Sequence, residues 1–130
     1  MSPEQSLAAF LALTIVLLGC VVVTGLKARR RWHITFVVLA LASLVVSIVC
    51  ARRVGKLYDL RSAGLITPVH LTLAKITTAA YLLPIATGLR TIFRPATRRL
   101  HRTLAFVVLG MTLVTAITGT MMLLGAKPIG

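Results

Sequence analysis

Trp32–Ala51, WHITFVVLALASLVVSIVCA, contains no Lys, Arg, Asp or Glu. A bilayer core about 30 Å thick is crossed by about 20 apolar residues in a helix, so this run predicts a transmembrane helix. Three more runs surround it. Gln5–Leu26 and Thr103–Ala126 are also free of charge, and Ser62–Leu89 contains only Lys75. Together they fill most of the 130 residues and leave little chain for a soluble domain. The expected fold is all-α: an integral membrane four-helix bundle, in a single transmembrane domain over residues 1–130. Its helices are expected near 6–27, 31–53, 67–91 and 99–125. Pro84 lies inside the third, where its missing N–H frees a carbonyl one turn earlier and predicts a kink.

The formal net charge is +13, with Glu4 and Asp59 the only acids. The basic residues cluster at the ends of the apolar runs, so they answer to lipid headgroups and membrane orientation, and no nucleic-acid partner is implied. The first connection holds Lys27, Arg29, Arg30 and Arg31, and the third holds Arg90, Arg94, Arg98, Arg99 and Arg102. The second holds Arg52, Arg53, Lys56 and Arg61, partly offset by Asp59. This imbalance predicts a cytoplasmic location for the first and third connections, with both termini outside.

Several chemistries are excluded. Cys20 and Cys50 fall within or at the end of apolar runs and show no metal-ligand spacing or disulfide framework. Leu17-Leu18-Gly19-Cys20 lacks a positively charged leader, which favours retention of the first helix. No nucleophile–base combination, phosphate loop or zinc spacing occurs. Both carboxylates lie outside the apolar runs, against a proton- or cation-coupled transporter.

The two halves of the chain resemble each other in two registers. Thr24-Gly25-Leu26-Lys27 matches Thr87-Gly88-Leu89-Arg90, and Arg30-Arg31-x-His33-x-Thr35 matches Arg98-Arg99-x-His101-x-Thr103. The second half carries an insertion around Phe93–Thr97. A duplicated helical hairpin is therefore expected, its halves related by a pseudo-twofold axis along the membrane normal, a symmetry that often places a ligand between repeats. Gly110, Thr115, Ala116 and Gly119 suggest close packing of the fourth helix.

The repeat sets His33 and His101 at the same depth on the same side. A single interfacial histidine is ordinarily just a polar residue at headgroup level. A symmetric pair suits the two axial imidazoles of a low-spin b-type haem, because neutral imidazole is a good iron ligand. Arg30, Arg31, Arg98 and Arg99 would then pair with the haem propionates, although arginines are expected at such helix ends in any case. Trp32 fits an interfacial aromatic belt.

His70 begins the third helix on the opposite side, and the repeat sets Leu7 opposite it, so this chain completes no second two-histidine site. It shares a helical face with Thr77, Tyr81, Pro84 and Gly88. Three readings stay open: a plain interfacial histidine, part of an outer pocket for quinone or another redox partner, or a ligand to a second haem completed by a neighbouring subunit. Lys75, two turns into that helix, would snorkel outward or face an anionic group such as a propionate or semiquinone.

With Leu100-His101-Arg102-Thr103-Leu104-Ala105 and Thr118-Gly119, the chain resembles the cytochrome b561 superfamily and its small bacterial relatives. The resemblance implies a bacterial inner-membrane cytochrome whose haem ligands come in pairs from core helices one and three and from two and four. His33 and His101 match the second arrangement, whereas helix one has no histidine to complete the first. The implied activity is one-electron transfer to or from quinone or a partner redox complex, as an oxidoreductase subunit more than as a stand-alone enzyme. The competing expectation is a cofactor-free accessory or anchor subunit of a larger membrane complex.

Overall fold

A computed structural model describes all residues from Met1 to Gly130. The chain forms two compact units, Met1–Tyr58 with Ile129 and Asp59–Pro128 with Gly130. Four helical spans, Pro3–Leu26, Arg30–Gly55, Ile66–Phe93 and Pro95–Gly125, are long and apolar enough to cross a membrane.

The first unit is a tight hairpin of α1 (Pro3–Leu26) and α2 (Arg30–Gly55). At the start of α1, the Ser2 hydroxyl accepts from the Gln5 N–H and the Gln5 side chain accepts from the Ser2 N–H, a reciprocal cap for two unpaired donors. The other end of α1 closes through two reversed hydrogen bonds. Arg29 N–H donates to the Thr24 carbonyl at 3.0 Å and Ala28 N–H to the Gly25 carbonyl at 3.2 Å. Ala28 takes φ 54° to make this turn, in the left-handed region that usually calls for glycine. Reversal within three residues lays α2 antiparallel against α1.

The second unit begins with a 3₁₀ turn at Leu60–Ala63, headed by the Asp59 carboxylate accepting from the Arg61 N–H. Gly64, at φ 83°, turns the chain into α3 (Ile66–Ala80). The third span breaks at Tyr81, and α4 (Leu82–Phe93) completes it. Pro84 accounts for the break, because it has no N–H to offer the Ala80 carbonyl. A second 3₁₀ turn, Pro95–Thr97, leads into α5 (Arg98–Gly125), unbroken over 28 residues and packed against both α3 and α4. At 1.5 Å per residue α5 is about 42 Å long, more than the hydrocarbon core requires.

The pattern of burial is the reverse of that in a water-soluble bundle. The buried apolar residues are few: Ala40, Cys50, Val54, Val108 and Met122. Buried beside them are Thr14, Thr24, Ser43, Ser47, Thr67 and Thr77, whereas Val38, Val45 and Ile117 are each 60% exposed. Small residues inside and branched aliphatics outside suit lipid as solvent, where close backbone approach and hydroxyl bonds hold helices together. Every buried side-chain nitrogen and oxygen has a partner, as a medium without water demands.

In the first hairpin, Thr14 Oγ1 lies 2.7 Å from Ser43 Oγ and 3.3 Å from Ser47 Oγ. In the second, Thr77 Oγ1 lies 2.9 Å from Thr115 Oγ1. Gly119 packs closely, as its neighbours predict. Gly110 does not: no atom lies within 4 Å of where its Cβ would stand.

Candidate functional site: three histidines, each against a Thr-Gly pair

His33 is the fourth residue of α2 and His101 the fourth residue of α5. Each ring is half-buried and lies across the neighbouring helix of its own hairpin. A Cβ added to Gly25 would come within 3.1 Å of His33 Cε1 and Nδ1, and one added to Gly88 within 3.0 Å of His101 Cε1. Glycine at these two places lets the imidazole lie on the helix backbone.

The bonds at Nδ1 establish which nitrogen carries the proton. His33 Nδ1 is 3.0 Å from the Val21 carbonyl, which can only accept, so this nitrogen is protonated. His101 Nδ1 is 3.2 Å from Thr87 Oγ1. The Thr87 hydroxyl directs its single proton to the Leu83 carbonyl at 2.8 Å. Toward His101 it is therefore an acceptor, and His101 Nδ1 is also protonated. A neutral imidazole protonated at Nδ1 carries its lone pair on Nε2. A ligating histidine is ordinarily oriented in this way, with its second nitrogen donating to an outer acceptor.

His70 repeats the arrangement at the other end of the second unit. Its Nδ1 lies 3.0 Å from Thr118 Oγ1, whose proton goes to the Thr115 carbonyl at 3.0 Å. A Cβ on Gly119 would approach His70 Cε1 to 2.8 Å. The helical face that His70 shares with Thr77 and Tyr81 is taken up by α5. Thr77 meets Thr115, and Tyr81 Oη meets Thr112 Oγ1 at 2.6 Å. The groove that α3 does offer lies on another face, lined by Pro68, Val69, Thr72, Leu73 and Ile76. Threonines of α5 thus lie against this face of α3.

Arg30, Arg31, Arg98 and Arg99 stand exposed in the first turns of α2 and α5, neither of which contains an acid. Cations at a helix N-terminus oppose the macrodipole, so an anion at either place would be held by both the guanidinium groups and the helix. Lys75 is exposed on α3. Trp32 stacks with Phe36, their centroids 6.1 Å apart. Cys20 and Cys50 are free thiols.

No group of three or more His, Cys, Asp or Glu converges to hold a metal ion. A cofactor that needs only two protein ligands makes no such demand. The Thr-Gly pairs opposite each histidine had no assigned role in the sequence, although Thr24-Gly25 and Thr87-Gly88 already defined the repeat. The recurrence of Thr-Gly at 118–119 was the signal that linked them to all three imidazoles. No family model, curated protein or solved structure matches the chain.

Proposed function

We propose that this protein is a membrane cytochrome whose one b-type haem would be ligated by His33 and His101. Bound there, the haem supplies reversible one-electron chemistry, while the protein supplies ligation, burial and orientation. One observation carries the proposal: each imidazole is held at Nδ1 by an acceptor of its own hairpin, the Val21 carbonyl for His33 and the Thr87 hydroxyl for His101, the orientation expected of a ligating histidine. Arg30, Arg31, Arg98 and Arg99 would neutralise the propionates, since they bring cations to helix ends that lack any acid.

The chain is read as a duplicated hairpin with a ligand from each half. Beyond the sequence match, Thr14 with Ser47 and Thr77 with Thr115 are hydroxyl pairs at equivalent positions in the same two registers. The resemblance to the cytochrome b561 superfamily in Leu100–Ala105 leans the same way. The electron partner would be quinone or a docked redox complex. The charge distribution favours an inner-membrane protein with the haem near the cytoplasmic face.

The test is a reduced-minus-oxidised absorption spectrum of the protein purified in detergent. A b-type difference spectrum with one haem per chain is expected. A colourless protein from haem-replete cells would reject the proposal in favour of a cofactor-free anchor subunit.

A further inference from the structure

The first unit carries a groove of about 370 Å³ at the end of its hairpin remote from His33. One wall is Pro3, Ser6 and Phe10 of α1, and the other is Arg53, Val49 and Val46 of α2. Every lining residue belongs to this unit. Each triplet covers one helix face over two turns, with spacings of three and four residues. The Thr14–Ser43 and Val21–His33 contacts show that the helices run antiparallel. Pro3 therefore stands at the level of Arg53, Ser6 at that of Val49 and Phe10 at that of Val46. The groove follows the helix axes for about 10 Å, at 1.5 Å per residue. It is cationic at the hairpin end and apolar further in, with the buried Cys50 behind it.

Arg53, in the last turn of α2, is the only charged side chain that lines the groove. Glu4, the one acid of this unit, is not among the lining residues and accepts from the Tyr58 hydroxyl at 3.4 Å. A cation at a helix C-terminus is favoured by the macrodipole in any case. The dipole does not account for an apolar channel leading two turns inward from one of two adjacent arginines. A phospholipid presents the same order of chemistry, an anionic phosphate at headgroup depth with hydrocarbon beneath it. Guanidinium suits that phosphate through paired charge-assisted hydrogen bonds. A small soluble anion would leave the apolar part empty, and a purely apolar molecule would leave Arg53 unused.

We propose that this groove binds one anionic phospholipid, with its phosphate on Arg53 and the first part of an acyl chain between Phe10 and Val46. The site is independent of the haem assignment.

Native mass spectrometry of the delipidated full-length protein in detergent, titrated with phosphatidylglycerol, tests it. Wild type should take up one molecule of phosphatidylglycerol ahead of phosphatidylcholine with the same chains, whose choline cation the basic helix end repels. Glycerol 3-phosphate, a head without chains, should not compete. Arg53→Gln should weaken this uptake about 10-fold, the effect typical of losing a hydrogen bond to a charged group. Ser6→Leu fills the groove without changing its charge and should weaken uptake as well. Arg52→Gln removes an equal charge from outside the groove and should bind as wild type does.

Equal uptake of the two lipids would overturn the proposal. So would an equal loss in Arg52→Gln and Arg53→Gln, because the attraction would then be the general positive charge of the helix ends. Competition by glycerol 3-phosphate would make this a site for a soluble anion and reject the lipid. Full uptake by Ser6→Leu would leave the groove without its occupant. Should circular dichroism show that Ser6→Leu has lost helix, the comparison of Arg53→Gln with Arg52→Gln decides.

Discussion

Replacing either His33 or His101 by alanine is expected to abolish the b-type spectrum and leave a colourless, folded protein. A bis-histidine haem loses half its protein ligation with either change. The fold should survive, because the acceptors that face each Nδ1 keep another bond. The Val21 carbonyl keeps its bond from the Thr24 hydroxyl, and the Thr87 hydroxyl keeps its bond to Leu83. An orphaned buried donor or acceptor would cost about 1–3 kcal/mol, and these two acceptors are spared it. Helix content by circular dichroism should therefore match wild type while the haem signal disappears. Unchanged spectra in both variants would remove these residues from the site.

The second large effect concerns glycine. At Gly25 and Gly88 an added methyl would stand 3.1 and 3.0 Å from an imidazole carbon, whereas at Gly19 and Gly110 it would meet nothing within 4 Å. Overpacking of this kind typically costs about 1–3 kcal/mol. Expressed against ligand binding, that is about 5- to 150-fold in haem affinity. Gly88→Ala is expected at the mild end, since the ring has only to give by a few tenths of an ångström, and Gly88→Val at the severe end. Gly19→Ala and Gly110→Ala should bind haem as wild type does. If Gly88→Val took up haem with full affinity, the ring position described for His101 would not be the one that ligates.

Much of the architecture was legible before any coordinates. Uncharged runs such as Trp32–Ala51 announce membrane helices because a bilayer tolerates so few alternatives, and Pro84 announces the break at Tyr81 because the missing donor is a covalent fact. The hairpin turn was less visible, since it is made by Ala28 in a left-handed conformation where a sequence reader looks for glycine. The surroundings of the histidines were hidden for a different reason. Thr24-Gly25 and Thr87-Gly88 could be matched as a repeat, but which helix face they occupy against a given imidazole depends on packing. The change from the Val21 carbonyl to the Thr87 hydroxyl depends further on the local break before Pro84. Spacing alone groups His70, Thr77, Tyr81, Pro84 and Gly88 on one helical face. That it would be covered by Thr112, Thr115 and Thr118 required knowing the neighbour.

In the proposed cytochrome one iron would have two histidines of this chain as ligands. Electron–nuclear double resonance on the oxidised protein, labelled with 15N only in histidine, tests it most directly. A low-spin ferric signal coupled to two directly bonded histidine nitrogens, reduced to at most one in His33→Ala and in His101→Ala, is the predicted result. A haem coupled to a single histidine nitrogen in wild type, or to two that survive loss of His33 or His101, would contradict it.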